Sequence, residues 1–226
     1  MSTRNKRPME IVYRISPFKP DNLPVYYPDD KWKLVQMCHK SFLNAGGGNY
    51  KITYIINSCD WGKHFKGGDI VKIRVPGKLE SLRAAFKVGL ETGEDVLFVE
   101  DDYLWRPGTI PLLEHALKTL RVMSPYDHPS HYAEERFNDF PFRLKQIGNE
   151  VYRTCPSTTH TFAVTKDVMK ENYNLISDYG VQDHEMYTEL NKVAQLWCPT
   201  YSFATHLAGG NLAPNVNWRE FANLTS

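Results

Sequence analysis

Asp95-Val96-Leu97-Phe98-Val99-Glu100-Asp101-Asp102-Tyr103-Leu104-Trp105 is the stretch on which the fold turns. Val96 to Val99 is apolar on every residue, the pattern of a strand covered on both faces inside a parallel sheet. It stops abruptly at three consecutive carboxylates. Open α/β sheets bind ligands just outside the carboxyl ends of their strands. Three adjacent anions there are unfavourable unless a cation or hydrogen-bond donors balance them. Hard carboxylate oxygens suit Mg2+ or Mn2+, and Mg2+ commonly takes one or two carboxylates plus substrate phosphates. Strand alternation predicts Glu100 and Asp102 on one side and Asp101 on the other. The plainer reading is a set of turn and capping acids ahead of Pro107, but a cap uses one acid and three stand here.

Working outward, strands alternate with helices. Met9 to Ile15 reads as a first strand, closed by Ser16-Pro17-Phe18-Lys19-Pro20. Asp29-Asp30 caps a helix over Lys31 to Leu43, and the glycines Gly46 to Gly48 end it. Those glycines lack the Gly-Lys-Ser/Thr of a phosphate loop and follow a helix, so they read as a terminator. Strands follow at Lys51 to Asn57 and Asp69 to Val75, then a helix over Lys78 to Thr92, the buried strand, and a helix over Ile110 to Met123 behind the cap Thr109. Such alternation over residues 9–123 predicts an α/β domain with a mostly parallel sheet flanked by helices. Residues 124–150 read as irregular. Strands at Val151 to Thr154 and Thr158 to Val164, helices over Lys166 to Ile176 and Asp183 to Val193, and strands at Leu196 to Cys198 and Tyr201 to Thr205 form a smaller second segment. Gly209 to Trp218 reads as a polar tail loop.

Composition excludes several classes. The 226 residues are 42% hydrophobic and 23% charged, an ordinary globular balance rather than a disordered or collagen-like one. The basic start Met1 to Pro8 is followed by no apolar signal core. Cys38, Cys59, Cys155 and Cys198 are scattered with no C-x-x-C pair, which argues against a cysteine-bound zinc and for reduced thiols in a cytoplasmic protein. Charge is uneven: net +9 over residues 1–90 and −8 over residues 91–226. That split fits a half that meets phosphate and a half that meets a cation or polar substrate, or two halves that neutralise each other.

Tyr13-Arg14-Ile15-Ser16-Pro17, Ile55 to Asp60, the helix containing Ser81 to Ala85 and the Asp95 to Trp105 run together resemble the GT-A nucleotide-sugar glycosyltransferases. The resemblance spans residues 9–207, with the acidic run as its specific part. In that family a D-x-D or E-D-D motif follows a buried strand, and its last acid binds the metal on a nucleotide diphosphate. The resemblance implies one GT-A domain, with 9–123 as the nucleotide-sugar half and 124–226 as the acceptor half. It makes Asp102 a metal ligand and places Glu100 and Asp101 at the nucleotide sugar. Late in the chain His206, at a strand end before Gly209-Gly210, resembles the histidine that completes the metal site. An imidazole in the set favours manganese over magnesium.

Gly180-Val181-Gln182-Asp183-His184-Glu185 resembles the acidic segment that supplies the base in inverting members. The family pattern there is Glu-Asp and this chain has Gln182-Asp183, so the base role passes to Asp183 alone; the plainer reading makes Asp183 a helix cap. The ends of the first two strands, which hold base and ribose in this fold, contribute Arg14, Ser16, Asn57 and Asp60. Lys78, at its helix start, meets a phosphate. Trp105, Trp197 and Trp218 are either sugar-stacking or packing residues.

The implied activity is metal-dependent transfer of a sugar, inverting if Asp183 is the base and retaining if it is not. A UDP-sugar is the expected donor. A nucleotidyltransferase would also use carboxylates and a metal, but Ser16 to Pro20 is not its glycine-rich basic loop. A non-catalytic carbohydrate- or nucleotide-binding module is the alternative of another class. The acceptor is left open among a saccharide, a protein, a small molecule and a nucleic acid. Basic residues such as Lys63, Lys66, Lys72 and Arg74 suit phosphates and keep a hydroxylated DNA base in that set.

Overall fold

The computed structural model describes residues 9–18, 22–75 and 77–225. The basic start Met1 to Pro8, and Lys19-Pro20 of the loop after the first strand, lie outside the described residues. The first half runs β1 (Glu10–Ile15), α1 (Lys31–Asn44), β2 (Ile52–Asn57), β3 (Asp69–Ile73), α2 (Lys78–Thr92), β4 (Val96–Glu100), β5 (Tyr103–Trp105), α3 (Ile110–Leu120) and β6 (Val122–Met123). The second half adds α4 (Ser130–Ala133), β7 (Leu144–Ile147), β8 (Glu150–Thr154), β9 (Phe162–Val164), α5 (Lys166–Glu171), α6 (Tyr173–Tyr179), α7 (Asp183–Leu190), β10 (Leu196–Pro199), β11 (Ala204–His206) and α8 (Trp218–Asn223).

Nine strands share one sheet in the order β3-β2-β1-β4-β9-β6-β10-β8-β7, and β11 pairs with β5 in a small second sheet. β3, β2, β1 and β4 are parallel neighbours, while β9 and β8 run against the rest, so the sheet is mostly parallel, as expected. Side-chain alternation sorts the core into two layers. Ile11, Tyr13, Ile15, Leu97 and Val99 face one cluster with Leu34, Val35, Leu113 and Trp218. Val12, Val96 and Phe98 face the other, with Leu82, Phe86, Val168 and Met186. Helices α1, α3 and α8 therefore cover one face, and α2, α5 and α7 the other.

Local chemistry explains the element ends. Asp30 accepts the Lys33 N–H at 3.0 Å and starts α1. Gly46 takes φ +104°, and a Cβ on Gly47 would stand 2.3 Å from the Phe42 ring, so the glycine run does terminate the helix. Several expectations are corrected. The helix from Ile110 ends at Leu120 because Arg121 turns to φ 66° and Val122-Met123 pair with β9 and β10. The helix from Lys166 breaks at Asn172, whose side-chain amide donates to the Val168 carbonyl at 2.9 Å. The helix from Asp183 stops at Leu190 rather than Val193. Residues 124–150 are not wholly irregular: β7 and β8 form a hairpin around Gly148, at φ 60°, and Asn149. The tail loop runs to Asn217, as expected, and a helix follows it from Trp218, whose Nε1 donates to the Ala213 carbonyl at 2.9 Å. Among the described residues no helix is long and apolar enough to cross a membrane.

Candidate active site

From β1 the chain passes outward to β2 and β3 on one side and then to β4 on the other. The switch point between β1 and β4 is where such a sheet opens a crevice at its carboxyl end. Arg14 of β1 sits in register with Glu100 of β4 at that end. A cavity of about 510 Å³ lies there. Of the residues singled out from sequence, Arg14, Ser16, Asn57, Lys78, Glu100, Asp101, Asp102, Asp183 and His206 all line it. Asp60 does not; it lines a neighbouring cleft with Cys59, Lys72 and Arg74. The expected split of the acidic triplet is also corrected. β4 ends at Glu100, and Asp101 and Asp102 occupy a turn before β5, so strand alternation no longer governs them and all three reach one cavity.

Each carboxylate is buried and each has its own basic partner. Glu100 pairs with the Arg14 guanidinium. Burial opposes its ionisation, but Arg14 holds its carboxyl below the usual range. Asp101 accepts from Lys31 Nζ at 2.7 Å and from the Ser16 N–H at 2.8 Å. Burial, with the charge of Asp102 added, still pushes Asp101 up despite Lys31. Asp102 Oδ2 lies 3.3 Å from His206 Nε2. Burial opposes ionisation there too, yet His206 pulls Asp102 well below the usual range, and Asp102 in turn lifts His206 against its own burial. The ring of Tyr103 stacks on His206 at 5.1 Å and 9° and fixes the plane of the imidazole.

Asp183 is half-buried and is the first residue of α7, not its cap, which is Gln182. One carboxylate oxygen accepts the His184 N–H at 2.8 Å. Asn57 is buried, and its Oδ1 accepts from Ser58 Oγ at 2.9 Å and the Val75 N–H at 3.2 Å, which ties the end of β2 to the end of β3. Lys78 opens α2, whose cap Gly77 makes no side-chain hydrogen bond, and the buried Ser81 Oγ has no partner. A helix start, a lysine and an unpaired hydroxyl on one wall form an anion-receptive face. Trp105 and Trp218 are buried in the core and Trp197 packs against it, so all three are packing residues.

Sequence reading missed Lys31, Thr159 and His128 on the cavity wall. Lys31 pairs with an acid 70 positions away, which no local pattern signals. His128 accepts the Ser130 N–H on Nδ1 at 3.0 Å, which leaves its proton on Nε2; burial lowers its pKa to about 4, so it is neutral.

Among the described residues no three His, Cys, Asp or Glu side chains converge into a metal-binding group. The pair Asp102 and His206 nevertheless fits a divalent cation that takes its other ligands from a substrate. Asp102 Oδ1 is buried without a partner, and a carboxylate oxygen beside an imidazole nitrogen is a donor set suited to Mn2+.

The fold has counterparts among solved structures, which align over most of the chain. GalNAc-T7, solved with UDP, GalNAc and Mn2+, superposes with a TM-score of 0.57 at 12% identity, covering 90% of this chain and 44% of its own. The fold is GT-A. The galactosyltransferase LgtC, solved with donor and acceptor sugar analogs, gives a TM-score of 0.51 at 12% identity and covers 96% of both chains. The glycosyltransferase GlyE of Streptococcus pneumoniae TIGR4 gives 0.51 at 11% identity, covering 97% of this chain and 63% of its own. This chain thus spans less than half of GalNAc-T7 and nearly all of LgtC. No family model and no curated protein matches the sequence. In the GT-A fold found here, the acidic triplet stands at the β1/β4 switch point.

Proposed function

We propose that the chain is a glycosyltransferase that moves a sugar from a nucleoside diphosphate sugar to an acceptor hydroxyl in the β1/β4 cavity. The observation that carries this reading is the convergence of the individually partnered triplet Glu100-Asp101-Asp102 with His206, Lys78 and Asp183 on one cavity of a GT-A fold. Residues 9–123 serve as the donor half and 124–226 as the acceptor half. Arg14, Ser16 and Asn57 stand at the ends of the first two strands, where they contact the nucleoside. Asp60, in the adjoining cleft, contributes only if the base reaches past Asn57.

Lys78, the α2 N-terminus and Ser81 Oγ receive phosphate oxygens, a preorganised positive face for charge that grows on the leaving diphosphate. Asp102 and His206 would hold the cation, Mn2+ by their donor types, and when bound it supplies neutralisation of that leaving group. Glu100 and Asp101, locked by Arg14 and Lys31, shape the floor beneath the sugar. Asp183 accepts the proton of the acceptor hydroxyl at its carboxylate, which requires it to be ionised and within hydrogen-bond reach of that oxygen. Attack from the face opposite the leaving group inverts the anomeric centre.

A UDP-sugar is the proposed donor, in line with the UDP and sugar analogs of the neighbours. The acceptor class includes a hydroxylated DNA base, because Lys63, Lys66, Lys72 and Arg74 are exposed along β3 and the turn before it. Incubation with UDP-sugars, Mn2+ and pooled acceptors, followed by NMR of the product, tests the reading. An inverted glycoside supports it; a retained one removes Asp183 from the base role, and donor left intact across all acceptor pools speaks for a binding module.

A further inference from the structure

Thr158-Thr159-His160-Thr161 reads in sequence as the start of a strand, yet the strand begins only at Phe162. Its polar groups point in several directions at once. Thr161 Oγ1 accepts the Glu100 N–H at 3.0 Å, at the start of the acidic triplet. Thr159 Oγ1 bonds to the hydroxyl of Tyr103, the residue stacked on His206. The Thr159 carbonyl accepts from the Tyr187 hydroxyl of α7 at 3.0 Å. His160 Nε2 lies 2.6 Å from the Gly180 carbonyl, in the turn that leads into α7 and Asp183.

The state of His160 follows from these contacts. A carbonyl only accepts, so the proton sits on Nε2. Burial lowers the pKa of the ring and favours its neutral form, so Nδ1 is a bare acceptor, buried without a partner 4.0 Å from a Glu100 oxygen. Burying an unpaired acceptor beside a carboxylate is unfavourable. The ring lies among aromatic neighbours, with Phe86 6.4 Å away, where a phenylalanine would pack without that cost. What histidine alone adds is the bond to Gly180.

Gly180 is a joint that needs such a fixed partner. It adopts φ +46°, and a Cβ there would fall 2.1 Å from the Leu79 side chain of α2. The next bond, from the Gln182 N–H to the Tyr179 carbonyl at 2.8 Å, already belongs to the turn that delivers Asp183. The cavity wall of α2 and the base-bearing helix α7 thus meet at Gly180, and His160 holds the joint from below.

We propose that His160 is a positioning residue for Asp183: its Nε2–H grips the Gly180 carbonyl and sets where the carboxylate of Asp183 stands against the acceptor. The inference rests on the proposed base role of Asp183. It places His160 outside contact with substrate and assigns it an effect on turnover rather than on donor binding.

Two variants and one spectrum test it. His160→Phe keeps the ring and removes the donor; His160→Gln retains an N–H that can reach Gly180. His160→Phe is expected to lower kcat per folded molecule at least tenfold while the donor KM moves less than twofold, and His160→Gln to recover most of the loss. Adding His160→Phe to Asp183→Asn is expected to lower kcat no further, because both act through one carboxylate. Losses that multiply in the double variant, or equal losses in His160→Phe and His160→Gln, overturn the positioning role while leaving the base intact. Wild-type turnover by Asp183→Asn alone instead overturns the base assignment and the inference with it. In the unaltered protein, 15N NMR is expected to show His160 protonated on Nε2, and a proton on Nδ1 in its place refutes the inference without any substitution.

Discussion

Replacing Arg153 with Met should destabilise the chain strongly and in a pH-dependent way. Arg153 is 4% exposed and Asp127 is 0% exposed. The Asp127 carboxylate accepts from Arg153 Nη2, from Arg153 Nε at 3.3 Å and from the Tyr132 hydroxyl at 2.6 Å. The guanidinium also lies 4.9 Å from the ring centres of Tyr132 and Phe142, so one side chain holds the segment that carries His128 to the cavity. Taking Arg153 away leaves a buried carboxylate without its cation, a loss of about 3–5 kcal/mol. For a chain of this size each kcal/mol moves Tm by about 2–4 °C, so the fall is about 6–20 °C at pH 7.

Burial opposes ionisation of Asp127, but the hydrogen bonds and charge of Arg153, with the Tyr132 hydroxyl, hold its carboxyl below the usual range. A folded value below the unfolded value of about 4 means that the pair's stabilisation is present above pH ~4 and lost as pH falls through the folded value. In Arg153→Met the same burial raises Asp127, so the variant's penalty is greatest at neutral pH and relieved on acidification. Thermal unfolding followed by circular dichroism at pH 7 and pH 4 reads both effects. A Tm loss under about 2 °C at pH 7, or a gap between the two proteins that widens in acid, refutes the reasoning.

Asp183→Asn should lower kcat at least ~10²-fold with donor KM nearly unchanged, since the amide still accepts the His184 N–H but takes no proton; steady-state kinetics decides. His39 sits 2.8 Å from the Tyr54 hydroxyl, and burial lowers its pKa to about 4. Stability should therefore drop as pH falls from about 6.5 to 4, by about 3 kcal/mol for this group, and urea unfolding of His39→Leu should show a correspondingly flatter profile over that window. Gly47→Ala drives a methyl to 2.3 Å from the Phe42 ring and should cost about 1–3 kcal/mol of stability by the same urea assay.

Local chemistry made much of this molecule legible. Asp30 ahead of Lys31, the glycines after Asn44, and the apolar run into Glu100 each carry their own signal, and α1, α2 and β4 fall where those signals put them. The cavity was legible in its acids and in His206 because charged side chains at strand ends have few structural reasons to be there. What was not legible depends on contacts across the chain. Val122-Met123 continue a helical pattern, and only pairing with β9 and β10 makes them strand. Tyr103 to Trp105 are too short to read as a strand on their own, and only pairing with β11 makes them a sheet. Lys31 reads as a helix-start lysine until Asp101 meets it. The Gly148-Asn149 hairpin, by contrast, carried a local turn signal that could have been read.

The most direct test of the central claim is calorimetric titration of UDP into the wild-type chain and into Asp102→Ala, each with Mn2+ and with chelator. The account predicts UDP binding to the wild type that requires Mn2+ and is lost in Asp102→Ala, with the fold of the variant intact by circular dichroism. Binding of equal strength in Asp102→Ala, or in the presence of chelator, contradicts it.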